Sequence, residues 1–296
     1  MLNSKIHTGS ARRLPDWLRQ RISLSEEVIR VKHLLQEKRL NTVCQSAGCP
    51  NISHCFQKNT ATFMILGNIC TRHCRFCGVT QGVPEPIDSN EPRRVAEAAL
   101  EMKLKHIVVT SVTRDDLPDG GAFQFVQVVE SVKQLIPKAI IELLIPDFQG
   151  SEAALQTVLD SKPDILNHNV ETVLRLYPKI RPEADLNRSL TLLLRAGKQT
   201  KLITKSGFML GLGETRREVL ELLSALRRVN CDALTIGQYL APGLDKAPVH
   251  EYIHPAVFKQ WEEEARSMGF SFVQAGPYVR SSFHAEEMIP LRGAGY

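Results

Sequence analysis

TATFMILGNICTRHCRFC, residues 60–77, joins an apolar run to three closely spaced cysteines, and the fold can be read outward from it. The apolar half, TATFMILG at 60–67, has the length of a buried strand. Cys70, Cys74 and Cys77 follow at CxxxCxxC spacing and offer three thiolates to an iron–sulfur cluster that takes four ligands, which leaves one iron open to another molecule. An open iron points to chemistry and not only to electron storage. Six further strand-like runs come later: HIVVTSV at 106–112, AIIELLIPD at 139–147, DILNHNV at 164–170, ITKSGFMLGLG at 203–213, ALTIGQYL at 233–240 and FSFVQAG at 270–276. Helical patterns alternate with them. Pro92 opens one, with Val95, Ala99 and Met102 on one face; Thr215 and Glu218 form a capping box before Val219, Leu222 and Leu226. Such repeats predict an α/β fold, a partial (β/α)6 TIM-like barrel with N-terminal and C-terminal extensions. Ligands gather at the C-terminal strand ends of such barrels, where the CxxxCxxC falls.

A second triplet, Cys44, Cys49 and Cys55 in CQSAGCPNISHC at 44–55, also supplies three ligands with no fourth cysteine nearby. Structural zinc and disulfides are the plainer alternatives. Zinc sites usually pair cysteines as CxxC and collect four ligands, and neither triplet completes such a pattern, although His54 and His73 lie close. Disulfides need an oxidising compartment, whereas MLNSKIHTGSARRLPDW lacks the apolar run of a secretory signal. Cys231, in RRVNCDALTIG, stands alone and reads as a small buried apolar residue.

The chain has 296 residues, 43% of them hydrophobic, which suits one main domain. No stretch reaches the roughly 18–20 consecutive apolar residues of a membrane span. The net charge of +5 is mild and spread, so it reads as solvated surface and not as a nucleic-acid patch. A bacterial or plastid-lineage cytosol, hence a cytoplasmic protein, is expected. Residues 24–40 read as an amphipathic helix capped by Ser23 with Glu26, lined by Val28, Val31 and Leu35. The expected division is an extension at 1–59 carrying the first triplet, a barrel at 60–276 and a tail at 277–296. That tail, within GPYVRSSFHAEEMIP at 276–290, crowds Arg280, Ser281, Ser282 and His284 and is long enough to reach back over a site.

Smaller motifs divide between function and plain structure. In GLGET at 211–215, Gly211 and Gly213 suit close approach of backbone to a ligand, and Glu214 is a carboxylate able to bind an amino group or ribose hydroxyl. A strand-to-helix turn explains the same residues equally well. Asn167, His168, Asn169 and Glu171 stand at a strand end and read as nucleoside contacts, with satisfaction of loop backbone as the plainer alternative. Arg114, Asp115 and Asp116 follow another strand without individual roles, and His73, Arg75 and Phe76 read as shielding within the cysteine loop.

The CxxxCxxC after the first strand of a barrel resembles the radical S-adenosylmethionine enzymes, and together with CxxxxCxxxxxC the chain resembles the lipoyl synthase family. The resemblance runs in order through TVCQSAGCPN, TATFMILGNICTRHCRFC, TSVTRDDLPDGGA, PDILNHNVETV, GLGET, IGQYLAP and RSSFHA. It implies that Cys70, Cys74 and Cys77 hold the [4Fe–4S] cluster whose open iron binds S-adenosylmethionine. It implies that Cys44, Cys49, Cys55 and Ser282 hold a second, auxiliary [4Fe–4S] cluster that gives up sulfur, which answers the missing fourth ligand and counts Ser282 with the catalytic cysteines. The implied reaction is insertion of sulfur at C6 and C8 of an octanoyl chain on a lysine. Implied partners are octanoylated lipoyl-carrier domains, an electron donor such as ferredoxin or flavodoxin, and an iron–sulfur carrier for cluster repair, with no nucleic acid and no membrane. The family tail usually reads RSSY, and here Phe283 replaces the tyrosine. Two other readings are a different radical sulfur-inserting or methylthio-transferring enzyme, against which the RSS tail argues, and an iron–sulfur scaffold or redox sensor, against which the open iron argues.

Overall fold

The computed structural model describes residues 14–19, 25–58 and 60–282. Ten strands run in chain order as β1 Asn41–Thr42, β2 Thr62–Ile65, β3 Ile69–Cys70, β4 Thr80–Gln81, β5 His106–Ser111, β6 Ile140–Leu144, β7 Ile165–Asn167, β8 Ile203–Leu210, β9 Ala233–Gln238 and β10 Phe272–Gly276. The α-helices are α1 Glu26–Glu37, α2 Val43–Ser46, α3 Ile52–Gln57, α4 Glu91–Glu101, α5 Ala122–Leu135, α6 Glu152–Asp160, α7 Tyr177–Ile180, α8 Leu186–Ala196, α9 Arg216–Arg228 and α10 Pro255–Ser267.

The main sheet has the order β1-β2-β5-β6-β7-β8-β9-β10. All neighbours from β2 to β10 pair in parallel, and β1 pairs antiparallel to β2 with Asn41 opposite Met64. These seven parallel strands fall on the seven apolar runs of the sequence, and β10 extends the six-unit frame by one. The result is a partial barrel, open between β1 and β10. A separate pair, β3 with β4, frames the cysteine loop.

Burial explains the strand compositions. Every residue of β2 is buried, as are the central residues of β5, β6 and β9, because helices cover one face and the barrel interior fills the other. The helices present the expected stripes: Val95 and Ala99 of α4, and Val219, Leu222 and Leu226 of α9, are buried. The capping box at the start of α9 is present, with Thr215 Oγ1 accepting from the Glu218 N–H and Glu218 accepting from the Thr215 N–H. Residues of α1, α3 and β2 share one core, including Val28, Leu35, Phe56 and Phe63, so the N-terminal segment packs as part of the barrel wall.

Helix α1 begins at Glu26 with Ser25 as its N-cap residue, whereas Ser23, the expected cap, lies outside the described residues. Phe283 and His284 lie outside them as well. Cys231 is fully buried, as expected, and burial pushes its thiol up to about 12. No helix among the described residues is long and apolar enough to cross a membrane.

Candidate functional site

The C-terminal ends of the parallel strands open onto a cavity of about 420 Å³ lined by Cys44, Cys49, Cys70, Cys74, Cys77 and Ser282 together with strand-end residues. Five of the six clustered cysteines therefore face one space. Cys55 does not reach the lining: it sits half-buried on α3, packed toward the core that α3 shares with α1. All seven cysteines lie outside disulfides.

The cysteine loop is held from several directions. It is entered through Leu66 and Gly67, both at positive φ, and the Leu66 N–H is accepted by the buried carboxylate of Glu91 at 2.8 Å. Thr71 N–H and its hydroxyl both donate to the Thr113 carbonyl, and Arg75 N–H donates to the Ile180 carbonyl at 2.8 Å. Arg72 is 4% exposed and forks between Asp115, at 2.6 and 2.9 Å, and Asp147, at 2.6 Å. Burial works against the Asp147 carboxylate, but the Arg72 hydrogen bond and charge outweigh it and hold it at about 2. Arg114 is buried on Asp116 at 2.8 Å. His73 lies exposed on Glu183 and Arg75 is outside the cavity lining, whereas Phe76 lines it.

The first triplet is shaped by short local bonds. Cys49 N–H donates to the Cys44 carbonyl at 3.0 Å, Ile52 N–H to the Cys49 carbonyl at 3.2 Å, and Cys55 N–H to the Asn51 carbonyl at 2.9 Å. The tail is tied down at three points, one of them within the triplet segment. Asn51 Nδ2 donates to the Tyr278 carbonyl at 2.7 Å, Asn169 Nδ2 to Ser281 Oγ at 2.5 Å, and Thr62 Oγ1 to Ser282 Oγ at 2.6 Å. Gly237 of β9 is what admits the tail, because a Cβ there would run into the Val279 carbonyl oxygen.

Burial raises the thiols, Cys44 to about 11, Cys74 to about 12 and Cys77 to about 11. Buried neutral thiols gathered in one cavity suit a metal centre, whose positive charge displaces their protons. Among the described residues no three His, Cys, Asp or Glu side chains converge as a site for one metal ion. Mononuclear zinc draws its ligands to about 2.0–2.3 Å of one point, while a cluster spreads its thiolates over separate irons. The five thiols and the Ser282 hydroxyl that line the cavity fit such clusters, with Cys55 standing off on α3.

Glu171 and Asn169 also line the cavity. Burial raises the Glu171 carboxyl, opposed by the nearby Arg181 charge, and Asn169 Oδ1 is buried with no hydrogen-bond partner, an acceptor that suits a ligand's donor. His168 pairs through Nδ1 with the Ile145 carbonyl and through Nε2 with Ser189, both at 2.9 Å, and burial holds it down at about 4. Asn167 lies outside the lining and donates instead to Glu142 at 3.0 Å. Gly211, Gly213 and Glu214 are outside it too. Glu214 accepts from the Gly211 and Leu212 N–H groups at 2.7 and 2.9 Å, and a Cβ on Gly211 would meet Gln238 and the Glu251 carbonyl oxygen. The turn, one of the two readings of GLGET, accounts for these residues.

The sequence reading missed Arg72 with Asp147, whereas Arg280, named there with the crowded tail, lines the cavity with its basicity lowered by burial. An arginine inside CTRHC was the available signal for that pair.

Comparison with known proteins fits this geometry. Residues 64–226 match the model of the radical SAM superfamily, so fold and cysteine loop define a radical S-adenosylmethionine enzyme. Among solved structures, SuiB from Streptococcus suis bound to S-adenosylmethionine superposes with a TM-score of 0.56 at 11% identity, covering 76% of this chain and 54% of that one. HydG, a maturase of the [FeFe]-hydrogenase, gives 0.54 at 15% identity, covering 92% and 75%. Within that class the chain belongs to the lipoyl synthase family. It is 55% identical over 280 residues to the lipoyl synthase of Caldanaerobacter subterraneus subsp. tengcongensis, covering 94% of this chain and 98% of the relative. The lipoyl synthase of Caldicellulosiruptor saccharolyticus is 54% identical over 278 residues with the same coverage. Membership carries [4Fe–4S] clusters and S-adenosylmethionine as cofactors.

Proposed function

We propose that Cys70, Cys74 and Cys77 hold the cluster that binds S-adenosylmethionine, and that Cys44, Cys49, Cys55 and Ser282 hold the auxiliary cluster, all of them but Cys55 lining one cavity. The observation that supports this division is the bond from Thr62, the residue that opens β2, to Ser282 Oγ, together with the bond from Asn51, inside the first triplet, to the Tyr278 carbonyl, which tie the tail to that side of the cavity. Three segments share the work: 1–59 with the first triplet, the barrel at 60–276, and the tail at 277–296.

When bound, these groups supply hydrogen abstraction from unactivated carbon and a source of sulfur, chemistry that no side-chain acid or base provides at neutral pH. The chain's own residues bind, orient and exclude water. Met64, Val112, Leu144, Phe208 and Met209 give the cavity a mainly apolar wall. That wall suits an octanoyl chain, each buried methylene contributing about 0.8 kcal/mol. Phe76 keeps water from the cysteine loop. Asn169 and Glu171 are the proposed contacts of S-adenosylmethionine, with Asn167 standing behind them, while Gly211, Gly213 and Glu214 shape the neighbouring turn.

Lipoyl synthases act on octanoylated carrier proteins, and the reaction places one sulfur at C6 and one at C8 of the lysine-bound octanoyl chain. Reduced ferredoxin or flavodoxin is the proposed electron donor, an iron–sulfur carrier the proposed agent of cluster repair, and the cytoplasm the proposed compartment.

Anaerobic turnover of the reconstituted, reduced protein with S-adenosylmethionine and an octanoyl-lysine peptide tests the function, reading peptide mass and 5′-deoxyadenosine together. A two-sulfur product with nucleoside is expected. Nucleoside without sulfur insertion would move the chain to another substrate.

A further inference from the structure

We infer that Thr62 is the positioning residue for the oxygen ligand of the auxiliary set: its hydroxyl holds Ser282 Oγ beside Cys44. This rests on the assignment of Ser282 as a ligand, and the experiment below separates the two.

Thr62 is rigid on every count that matters. It is 3% exposed, opens β2, and is locked in register opposite Val108 of β5. Its β-branched side chain is stiff about χ1. From that platform Oγ1 donates to Ser282 Oγ at 2.6 Å, a bond between residues 220 positions apart. Thr62 and Cys44 line the same cavity as Ser282. One residue therefore bonds Ser282 of the tail and stands in the same cavity wall as Cys44 of the first triplet.

The tail needs such a point of reference. Its other two tethers act at Tyr278 and Ser281 and leave the Ser282 side chain free to turn. A serine oxygen on iron carries negative charge, and a hydrogen bond to a charged acceptor is roughly twice as strong as one to a neutral acceptor. Thr62 thus favours the bound serine over the departed one. Serine oxygen is also the least usual iron ligand of the set, so this corner is where an added bond has most effect. When Ser282 departs, Fe2+ leaves without electron exchange and the oxygen takes a proton from water. The Thr62 hydroxyl then still keeps the side chain at the site.

The test uses full-length protein in which Cys70, Cys74 and Cys77 are alanine, so that iron is held by the first set alone. The anaerobic rate at which ferrozine captures the first Fe2+ is compared in this parent and with Thr62→Val, Thr62→Ser or Ser282→Ala added. Expected are release about tenfold faster with Thr62→Val, similarly fast release with Ser282→Ala, and a rate near the parent's with Thr62→Ser, which keeps the donor. Parent-like release from Thr62→Val beside fast release from Ser282→Ala would overturn the role of Thr62 and leave the ligand assignment standing. Fast release from Thr62→Ser would likewise overturn it, since the donor is retained. Parent-like release from Ser282→Ala would overturn the ligand assignment itself, and the role of Thr62 with it.

Discussion

Arg72 Nη2 donates to Asp147 Oδ1 at 2.6 Å, both side chains buried, and so ties the loop between Cys70 and Cys74 to the end of β6. Asp147 also takes Arg188 at 3.1 Å, while Arg72 takes Asp115, so the loop rests on a four-membered charge network.

Arg72→Met should destabilise the protein by about 3 kcal/mol, the low end of the range for breaking a buried ion pair, because Arg188 still offsets part of the Asp147 charge. Anaerobic denaturant unfolding of the iron-free protein measures this. A loss under about 1 kcal/mol would mean that the fork does not hold the loop.

A second network lies within the sheet. Glu142 takes Lys205 at 2.9 Å, and His106 Nε2 lies 3.2 Å away without hydrogen-bond alignment. Burial opposes the charged carboxylate, yet Lys205 and His106 hold it at about 2 against the ordinary 4.5. A lowered folded-state value stabilises above the unfolded one. The contribution, on the order of 3 kcal/mol, is therefore complete above pH about 4.5 and lost as pH falls toward about 2. Unfolding midpoints across that window should fall steeply in the native protein and less steeply in Glu142→Gln, which is already weaker at neutral pH. Parallel curves would contradict this account of Glu142.

Gly237→Ala places a Cβ against the Val279 carbonyl oxygen and must shift the tail. Bound iron per chain should fall, and sulfur insertion should drop about tenfold or more while nucleoside formation continues. Unchanged iron content and unchanged insertion would show that the tail tolerates displacement.

Thr215→Ala removes the side-chain cap of α9 and should cost about 1 kcal/mol of stability, measured by thermal melting. Turnover per folded molecule should be unchanged, since Thr215 is outside the cavity lining.

The parts legible in the sequence were those written locally. Apolar runs located all seven parallel strands, and S/T-x-x-E spacing located the α9 cap, because strand burial and capping depend on residues a few positions apart. The two cysteine triplets were equally local. What escaped were partners made by the fold. Arg72 and Asp147 lie 75 residues apart, and Glu142 and Lys205 lie 63 apart, with no pattern linking them along the chain. Asn167 could not be told from Asn169 at a strand end: the two would share a face if the strand continued, but β7 ends at Asn167, and beyond it the chain leaves the strand and brings Asn169 to the cavity while Asn167 meets Glu142. GLGET carried two readings because a tight turn and a ligand cradle need the same glycines.

The central claim is that the two cysteine sets have separate duties around one cavity. Cys49→Ala and Cys74→Ala, each reconstituted and reduced with S-adenosylmethionine and the octanoyl-lysine peptide, test it most directly when nucleoside and peptide mass are read in the same reaction. Cys49→Ala should still form 5′-deoxyadenosine and insert no sulfur, whereas Cys74→Ala should form neither. Nucleoside from Cys74→Ala with none from Cys49→Ala would contradict the division.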